Sequence, residues 1–148
     1  MFAGGRGACY DSPRLMRAEI VSIGSELLLG QIVDTNAAFI ARHLAAIGLD
    51  LFHKVAVGDN RTRVAAALTT ALGRADVVIT TGGLGPTADD VTREAVAEAT
   101  GRPLVLVPEL LQEIDAFFRT RGFTLSPSNQ KQAYIPEGAI PVSNPVGT

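Results

Sequence analysis

The run Gly82-Gly83-Leu84-Gly85-Pro86-Thr87 is followed, after Ala88, by the acidic pair Asp89-Asp90. Glycine lets a backbone approach a ligand closely and adopt positive φ. N–H groups in such a loop, and at a helix start behind it, attract an anion and phosphate above all. A tight turn without a ligand would use the same glycines. The run is not the dinucleotide fingerprint G-x-G-x-x-G. It is not a P-loop either, because no Gly-Lys-Ser/Thr follows. Asp89 and Asp90 could simply offset the dipole of the next helix, worth about 0.3–1 kcal/mol. Two carboxylates beside a phosphate-ready loop would, however, repel a bare phosphate. A hard divalent cation such as Mg²⁺ removes that conflict, since it binds carboxylate and phosphate oxygens together.

A second glycine-bearing segment is Gly24-Ser25-Glu26-Leu27-Leu28-Leu29-Gly30. Glu26 is a charged residue beside a leucine run, so it is expected to face a cleft or to cap a neighbouring backbone. Asp34, Thr35 and Asn36 suit helix capping as well as ligand contact. Asp59, read alone, is an ordinary turn aspartate. His43 and His53 have no metal-ligand partner at useful spacing, and no Gly-x-Ser-x-Gly elbow is present.

The elements that must position these residues alternate between strand and helix. Residues 18–23 read as a strand ending at Gly24. A helix follows, with Ala37, Ile40, Ala41, Leu44 and Ala45 on one face and a stop at Gly48. Residues 49–57 alternate with period two, as a strand does. Asn60 can cap a helix whose buried face is Val64, Ala67, Leu68, Ala71 and Leu72. The apolar run 76–81 predicts a strand buried on both faces. A helix is expected over residues 89–100, a short strand over 104–107, a helix from Pro108 to Gly122, and a short helix over 126–133. The remainder, residues 135–148, is rich in Pro and Gly. Such alternation predicts a mostly parallel sheet covered by helices, with ligands beyond the carboxyl ends of the strands. Both glycine segments lie at that edge.

The bulk numbers fit one globular domain: 148 residues, 47% hydrophobic and 19% charged. A net charge of -2, from 13 basic and 15 acidic residues, offers no clustered basic face for nucleic acid. The single cysteine, Cys9, excludes an internal disulfide and a cysteine-built zinc site, and suits a cytoplasmic setting. No apolar run approaches the roughly 18 residues of a spanning helix, so no membrane partner is expected. Residues 1–15 lack periodicity and are expected to be a disordered extension outside the domain of residues 16–148.

Four ordered blocks add a resemblance: GSELLLGQIVDTN (24–36), VGDN (57–60), TTGGLGPTADDVTREA (80–95) and NQKQAYIPEGAIPVSNPVGT (129–148). Together they resemble the front domain of the competence/damage-inducible CinA family. More distantly they resemble the molybdopterin adenylyltransferases and molybdopterin-binding domains of molybdenum-cofactor assembly. The resemblance implies a three-layer α/β/α fold with a mostly parallel sheet. It implies that Asp59 and Asp90 serve metal and nucleotide chemistry; Asp89 is a further candidate metal ligand from its place beside Asp90 alone. It implies that Gly82, Gly83 and Gly85 hold phosphate or pterin. Gly24, Glu26, Thr81, Pro86, Thr87, Asn129 and Lys131 fall in the matching blocks as further nucleotide or phosphate contacts.

CinA-type front domains are associated with divalent-metal-dependent hydrolysis of the pyrophosphate in ADP-ribose-like nucleotides. Relatives form homo-oligomers. They continue through a further strand and helix and usually add a nicotinamide mononucleotide deamidase domain, so the chain is expected to be truncated at its C-terminus. The leading expectation is therefore a Mg²⁺-dependent nucleotide pyrophosphatase in which Asp59 and Asp90 approach one another across the carboxyl end of the sheet. Adenylyl transfer to molybdopterin, and a non-catalytic nucleotide- or pterin-binding module, are the alternatives.

Overall fold

The computed structural model describes residues 16–142, 144 and 147; the expectation for residues 1–15 lies outside them. β1 (Arg17–Ile23) is followed by a single helical turn, α1 (Ser25–Leu28), and then by α2 (Thr35–Ala46). β2 (Asp50–Val57), α3 (Arg61–Leu72), β3 (Val77–Thr81) and α4 (Thr92–Thr100) complete the alternating part. β4 (Leu104–Leu106), α5 (Pro108–Thr120), α6 (Pro127–Gln130), a 3₁₀ turn at Lys131–Ala133 and β5 (Tyr134–Pro136) follow.

The three long strands form a parallel sheet in the order β2-β1-β3, and β4 pairs antiparallel with β5 in a separate ribbon. Side chains alternate across β1, so Ala18 and Ile20 face one way while Val21 and Ile23 face the other. The first pair packs with Ala37 and Leu44 of α2, and the second with Val64, Leu68 and Ala71 of α3 and Ala95 of α4. The result is a parallel sheet between two helical layers. Among the described residues no helix is long and apolar enough to cross a membrane.

Capping residues set the helix starts. Asp34 Oδ1 accepts from the Ala37 N–H at 3.0 Å, and Asn60 Oδ1 accepts from the Arg63 N–H at 3.1 Å. Asp34 also ties α2 to the sheet. It accepts from the fully buried Ser22 hydroxyl at 2.7 Å and pairs with Lys54 at 3.1 Å. Burial alone would raise its pKa, but these partners outweigh burial and hold the carboxyl below its ordinary value.

Several expectations need correction. The strand expected at 76–81 to be buried on both faces forms as β3 (Val77–Thr81), but it is only half-buried throughout because it lies at an edge of the three-stranded sheet; the fully buried strand is the central β1. Apolar side chains do cover both faces of β3, Val78 on one and Val77 and Ile79 on the other, which explains its continuous apolar run. The period-two reading of 49–57 is interrupted. Ala18 pairs with Leu51 but Glu19 pairs with His53, so Phe52 is a bulged residue and is 57% exposed. Leu51 consequently packs on the α2 side while Val57 packs on the α3 side. The helix expected from residue 89 starts at Thr92, which leaves Asp89 and Asp90 in the preceding loop. β5 takes in Tyr134 with Ile135 and Pro136, the first two residues of the tail read as Pro- and Gly-rich.

Candidate functional site

Parallel strands deliver their carboxyl ends to one edge, and three loops meet there: 24–30 after β1, 58–60 after β2 and 82–91 after β3. The glycines of the third loop are dictated by space. Gly82 has φ +85, and a Cβ on it would lie 2.0 Å from the Ile23 carbonyl oxygen. Gly83 has φ +60, and its Cβ would meet the Thr92 hydroxyl at 2.4 Å. The loop therefore folds directly against the end of β1.

Its carbonyls are held by donors from outside it. Thr92 donates its hydroxyl to Gly82 O at 2.8 Å and its N–H to Gly83 O at 3.2 Å. Arg93 donates one terminal N–H to Leu84 O at 2.6 Å and the other to Gly85 O at 2.9 Å. Lys131 Nζ donates to Thr87 O at 2.7 Å and to Asp90 O at 2.9 Å. Thr92 and Arg93 are both buried. Sequence reasoning missed these two as site residues. Their pattern reads as an ordinary helix start, and only the tertiary contact shows that they face the loop. Lys131 was foreseen as a phosphate contact; the structure commits its ammonium to two loop carbonyls, with Glu94 at 3.8 Å.

Asp90 closes the loop from within. Its Oδ2 accepts from the Thr87 N–H at 2.8 Å and from the Thr87 hydroxyl at 2.6 Å. Burial pushes its pKa up, but the Thr87 hydroxyl and N–H, the Gly85 N–H and the nearby Lys131 outweigh burial, so the carboxyl lies below its ordinary value. A Cβ on Gly85 would collide with this carboxylate at 2.5 Å, which gives that glycine its reason. Asp90 is thus an ionised loop clasp and not a cap of α4, whose start carries no side-chain cap. Asp89 is exposed, Pro86 is half-buried beside the clasp, and Thr81, the last residue of β3, pairs with Ser22.

On the other side of β1, Asp59 and Ser25 exchange two hydrogen bonds. Asp59 Oδ2 accepts from the Ser25 N–H at 2.8 Å, and the Asp59 N–H donates to the Ser25 hydroxyl at 3.1 Å. Gly24 is buried and donates its N–H to Val57 O at 2.9 Å, and a Cβ on it would collide with the Glu26 carboxylate at 2.6 Å. β2 and β3 are two strand spacings apart, about 10 Å, and Asp59 and Asp90 are turned to different partners. Among the described residues no group of three His, Cys, Asp or Glu side chains is placed to hold a metal ion. The expected set of Asp59, Asp89 and Asp90 therefore shares an edge without forming a cage. Asn129 lies in α6, where it bonds with Ser126 and Gln132.

This arrangement has relatives. The family described as "Probable molybdopterin binding domain" matches residues 19–147. A protein of Alkaliphilus oremlandii named "Putative competence-damage inducible protein" is 54% identical over 133 residues, which are 90% of this chain and 32% of that protein. A CinA-like protein of Trichormus variabilis is 47% identical over the same shares. The chain thus spans about a third of the length of the curated relatives it matches. The crystal structure of the protein CinA, with unknown function, from Thermoplasma acidophilum matches with a TM-score of 0.82 at 36% identity, covering 89% of this chain and 77% of that one. The tungsten cofactor synthesizing protein MoaB from Pyrococcus furiosus shares the fold, with a TM-score of 0.55 at 23% identity over 75% of this chain and 64% of that one. The chain therefore belongs to the molybdopterin-binding domain family and aligns within it with the CinA proteins.

Proposed function

We propose that this domain binds a nucleotide diphosphate of the ADP-ribose class at the 82–87 loop and hydrolyses its pyrophosphate with the help of a divalent cation of the Mg²⁺ type. One observation carries the reading. The carbonyls of Gly82, Gly83, Leu84, Gly85 and Thr87 each accept from a protein donor. Five of the six carbonyls of residues 82–87 are thus turned to protein donors, so an anion at the loop meets fewer unpaired carbonyl dipoles, and the loop is fixed before the ligand arrives.

The donor set fits a cation that arrives with its diphosphate. Mg²⁺ takes one or two carboxylates and fills its remaining positions with phosphate oxygens and water. Asp89 and Asp90 are adjacent to the loop, and Asp59 is on the same edge. Bound there, the cation would neutralise the diphosphate and supply a polarised water. The chain's own residues do the positioning. Asp90 keeps Thr87 in place, Arg93 and Thr92 keep the glycines in place, and the Asp59–Ser25 pair fastens the neighbouring loop.

Incubation of the chain with ADP-ribose and MgCl₂ should yield AMP and ribose 5-phosphate, and EDTA should abolish the yield. ADP-ribose that binds in the presence of Mg²⁺ but stays intact would sink hydrolysis and leave a binding module. Consumption of ATP with molybdopterin as acceptor, without cleavage of ADP-ribose, would assign adenylyl transfer instead. A cytoplasmic homo-oligomer belongs to the same reading: a second copy would cover the exposed Leu28, Leu29, Ile32 and Val33. A sedimentation mass of one chain at micromolar concentration would remove that part.

A further inference from the structure

The Lys131 ammonium carries three donors and no acceptor. Two of them are spent inside the protein, on Thr87 O at 2.7 Å and on Asp90 O at 2.9 Å. Glu94 Oε1 stands 3.8 Å away for the third. A phosphate reaching Nζ would therefore have to displace a backbone carbonyl or a carboxylate. That geometry is the opposite of a free cationic arm waiting for an anion.

What the ammonium holds is a turn closed on itself. The Asp90 N–H donates to Thr87 O at 3.3 Å, and the Asp90 carboxylate accepts from the Thr87 N–H and hydroxyl at 2.8 and 2.6 Å. Bonds inside a turn set its shape and leave its direction free. Lys131 grips the carbonyls at both ends of this one, and so sets its direction against the rest of the fold. Its own seat is firm. The 3₁₀ turn Lys131–Ala133 carries the fully buried Ala133, whose carbonyl accepts from the Val107 N–H at 3.0 Å. Ahead of it, α6 is capped by Ser126, which accepts from the Asn129 N–H at 3.3 Å. The β4–β5 side of the molecule thus reaches the far end of the glycine loop through one side chain.

We propose that Lys131 is a positioning residue for the pyrophosphate cleavage, one that aims the 87–90 turn and with it the Asp90 carboxylate, and that it makes no contact with the phosphate. Its effect on rate rests on the hydrolysis proposed above; its grip on the turn does not. A phosphate contact and an aiming residue part where the cation is removed. The contact contributes to binding with or without Mg²⁺. The aiming residue acts through Asp90, and so only where there is a cation to be placed.

The test compares the full chain with Lys131→Met, which keeps the stem and loses the ammonium, and with Lys131→Arg, which keeps charge and donors. Amide exchange at Thr87 and Asp90 should quicken by about tenfold or more in Lys131→Met, while exchange at Ile20 and Val21 of β1 stays as in the parent. In EDTA, the Kd of ADP-ribose should stay within about twofold of the parent's. In saturating MgCl₂, kcat should fall by about tenfold or more at a KM within about twofold, and Lys131→Arg should recover most of that loss. A Kd weakened by about tenfold or more in EDTA would make Lys131 a phosphate contact and overturn the proposal. So would unchanged exchange in the turn, or a kcat equal to the parent's. Faster exchange in β1 as well would reduce Lys131 to a general stabiliser and overturn it too. A parent that leaves ADP-ribose intact sinks the hydrolysis and the residue's share in it, while exchange in the turn still decides the grip.

Discussion

The 82–87 loop and the 24–30 segment leave adjacent strands at the same edge of the sheet, and both are rich in glycine at their ends or turns. The first is held by Asp90 from its own far end, by Thr92 and Arg93 from α4 and by Lys131 from the 3₁₀ turn. The second holds itself with one helical turn and is tied only to β2 and the loop after it, by the Gly24 N–H to Val57 O and by the reciprocal Ser25–Asp59 pair. Beyond those ties it presents Leu28 at 59% and Leu29 at 70% exposure. The difference separates two tasks. A loop clamped through its carbonyls is pre-organised for an anion. A loosely tied apolar segment suits a surface that meets another surface, or one that adjusts.

Substitution of the glycines should expose this contrast most sharply. In Gly82→Ala the new methyl would lie 2.0 Å from a backbone carbonyl oxygen at φ +85. Strained φ alone costs about 1–3 kcal/mol, and the collision with β1 adds to it, so the variant should unfold or lose more than about 3 kcal/mol. Gly30 has φ +68, but a methyl added there would meet nothing within 4 Å. Gly30→Ala should cost only the left-handed penalty, about 1–2 kcal/mol. Urea denaturation of both variants checks the pair, and equal losses would mean that the two segments are equally constrained.

Arg93→Met comes next. It keeps the bulk of the stem but removes two donors from Leu84 O and Gly85 O. Each of these part-buried hydrogen bonds is worth about 0.5–1.5 kcal/mol, so the variant should be destabilised by about 1–3 kcal/mol and should bind nucleotide poorly. A stable Arg93→Met with parental ADP-ribose affinity would show that the loop does not depend on its clamps.

Asp90→Asn should affect activity more than folding. Its amide oxygen can still accept from the Thr87 N–H, but the charge is lost. Hydrolysis should fall by about 100-fold, consistent with losing several kcal/mol of charge stabilisation. The parent's pH dependence follows from the direction of the shift. The folded carboxyl titrates below its ordinary value of 3.8. Its stabilising contribution is therefore complete above that value and is lost as pH falls through the lower folded pKa. In acid titrations followed by circular dichroism, Asp90→Asn should lack this component, whereas a curve identical to the parent's would count against the clasp.

Much of the frame was legible because local rules and tertiary packing agree there. The apolar residues of β1, and Asp34 and Asn60 ahead of α2 and α3, sit where their periodicity and side-chain oxygens place them. The start of α4 was not legible, because Asp90 turns back to Thr87 instead of forward to the helix, and both are good uses of an aspartate. The bulge at Phe52 was hidden because a period-two pattern does not reveal an extra residue that flips one half of the strand. β5 escaped because its three residues end on Pro136, and its partner, β4, is remote in sequence. At the site, the glycines announced themselves. Arg93 did not, since an arginine in the first turn of a helix ordinarily points to water and only the fold shows it beneath the loop. The positions of Asp59, Asp89 and Asp90 on one edge were legible. Their orientations depend on Ser25 and Thr87, which no spacing rule identifies.

The smallest expected effect is also the one that best separates fastening from chemistry in the looser segment. Asp59 does two things that a substitution can divide. Its carboxylate accepts from the Ser25 N–H, and its own N–H donates to the Ser25 hydroxyl. Asp59→Asn preserves an acceptor oxygen and the backbone donor, so stability should change by no more than about 0.5 kcal/mol, as at most surface positions. Asp59→Ala removes the acceptor and should cost about 1 kcal/mol, the usual worth of a lost cap. Hydrolysis of ADP-ribose then discriminates. If the charge of Asp59 helps to hold the cation, Asn and Ala variants should be slowed alike despite their different stabilities, and raising Mg²⁺ should restore part of the rate. If Asp59 only fastens the 24–30 segment, the Asn variant should keep the parental rate and only the Ala variant should slow. The second outcome would leave Asp90, with Asp89, as the carboxylates that serve the diphosphate, and would place the chemistry entirely on the clamped side of β1.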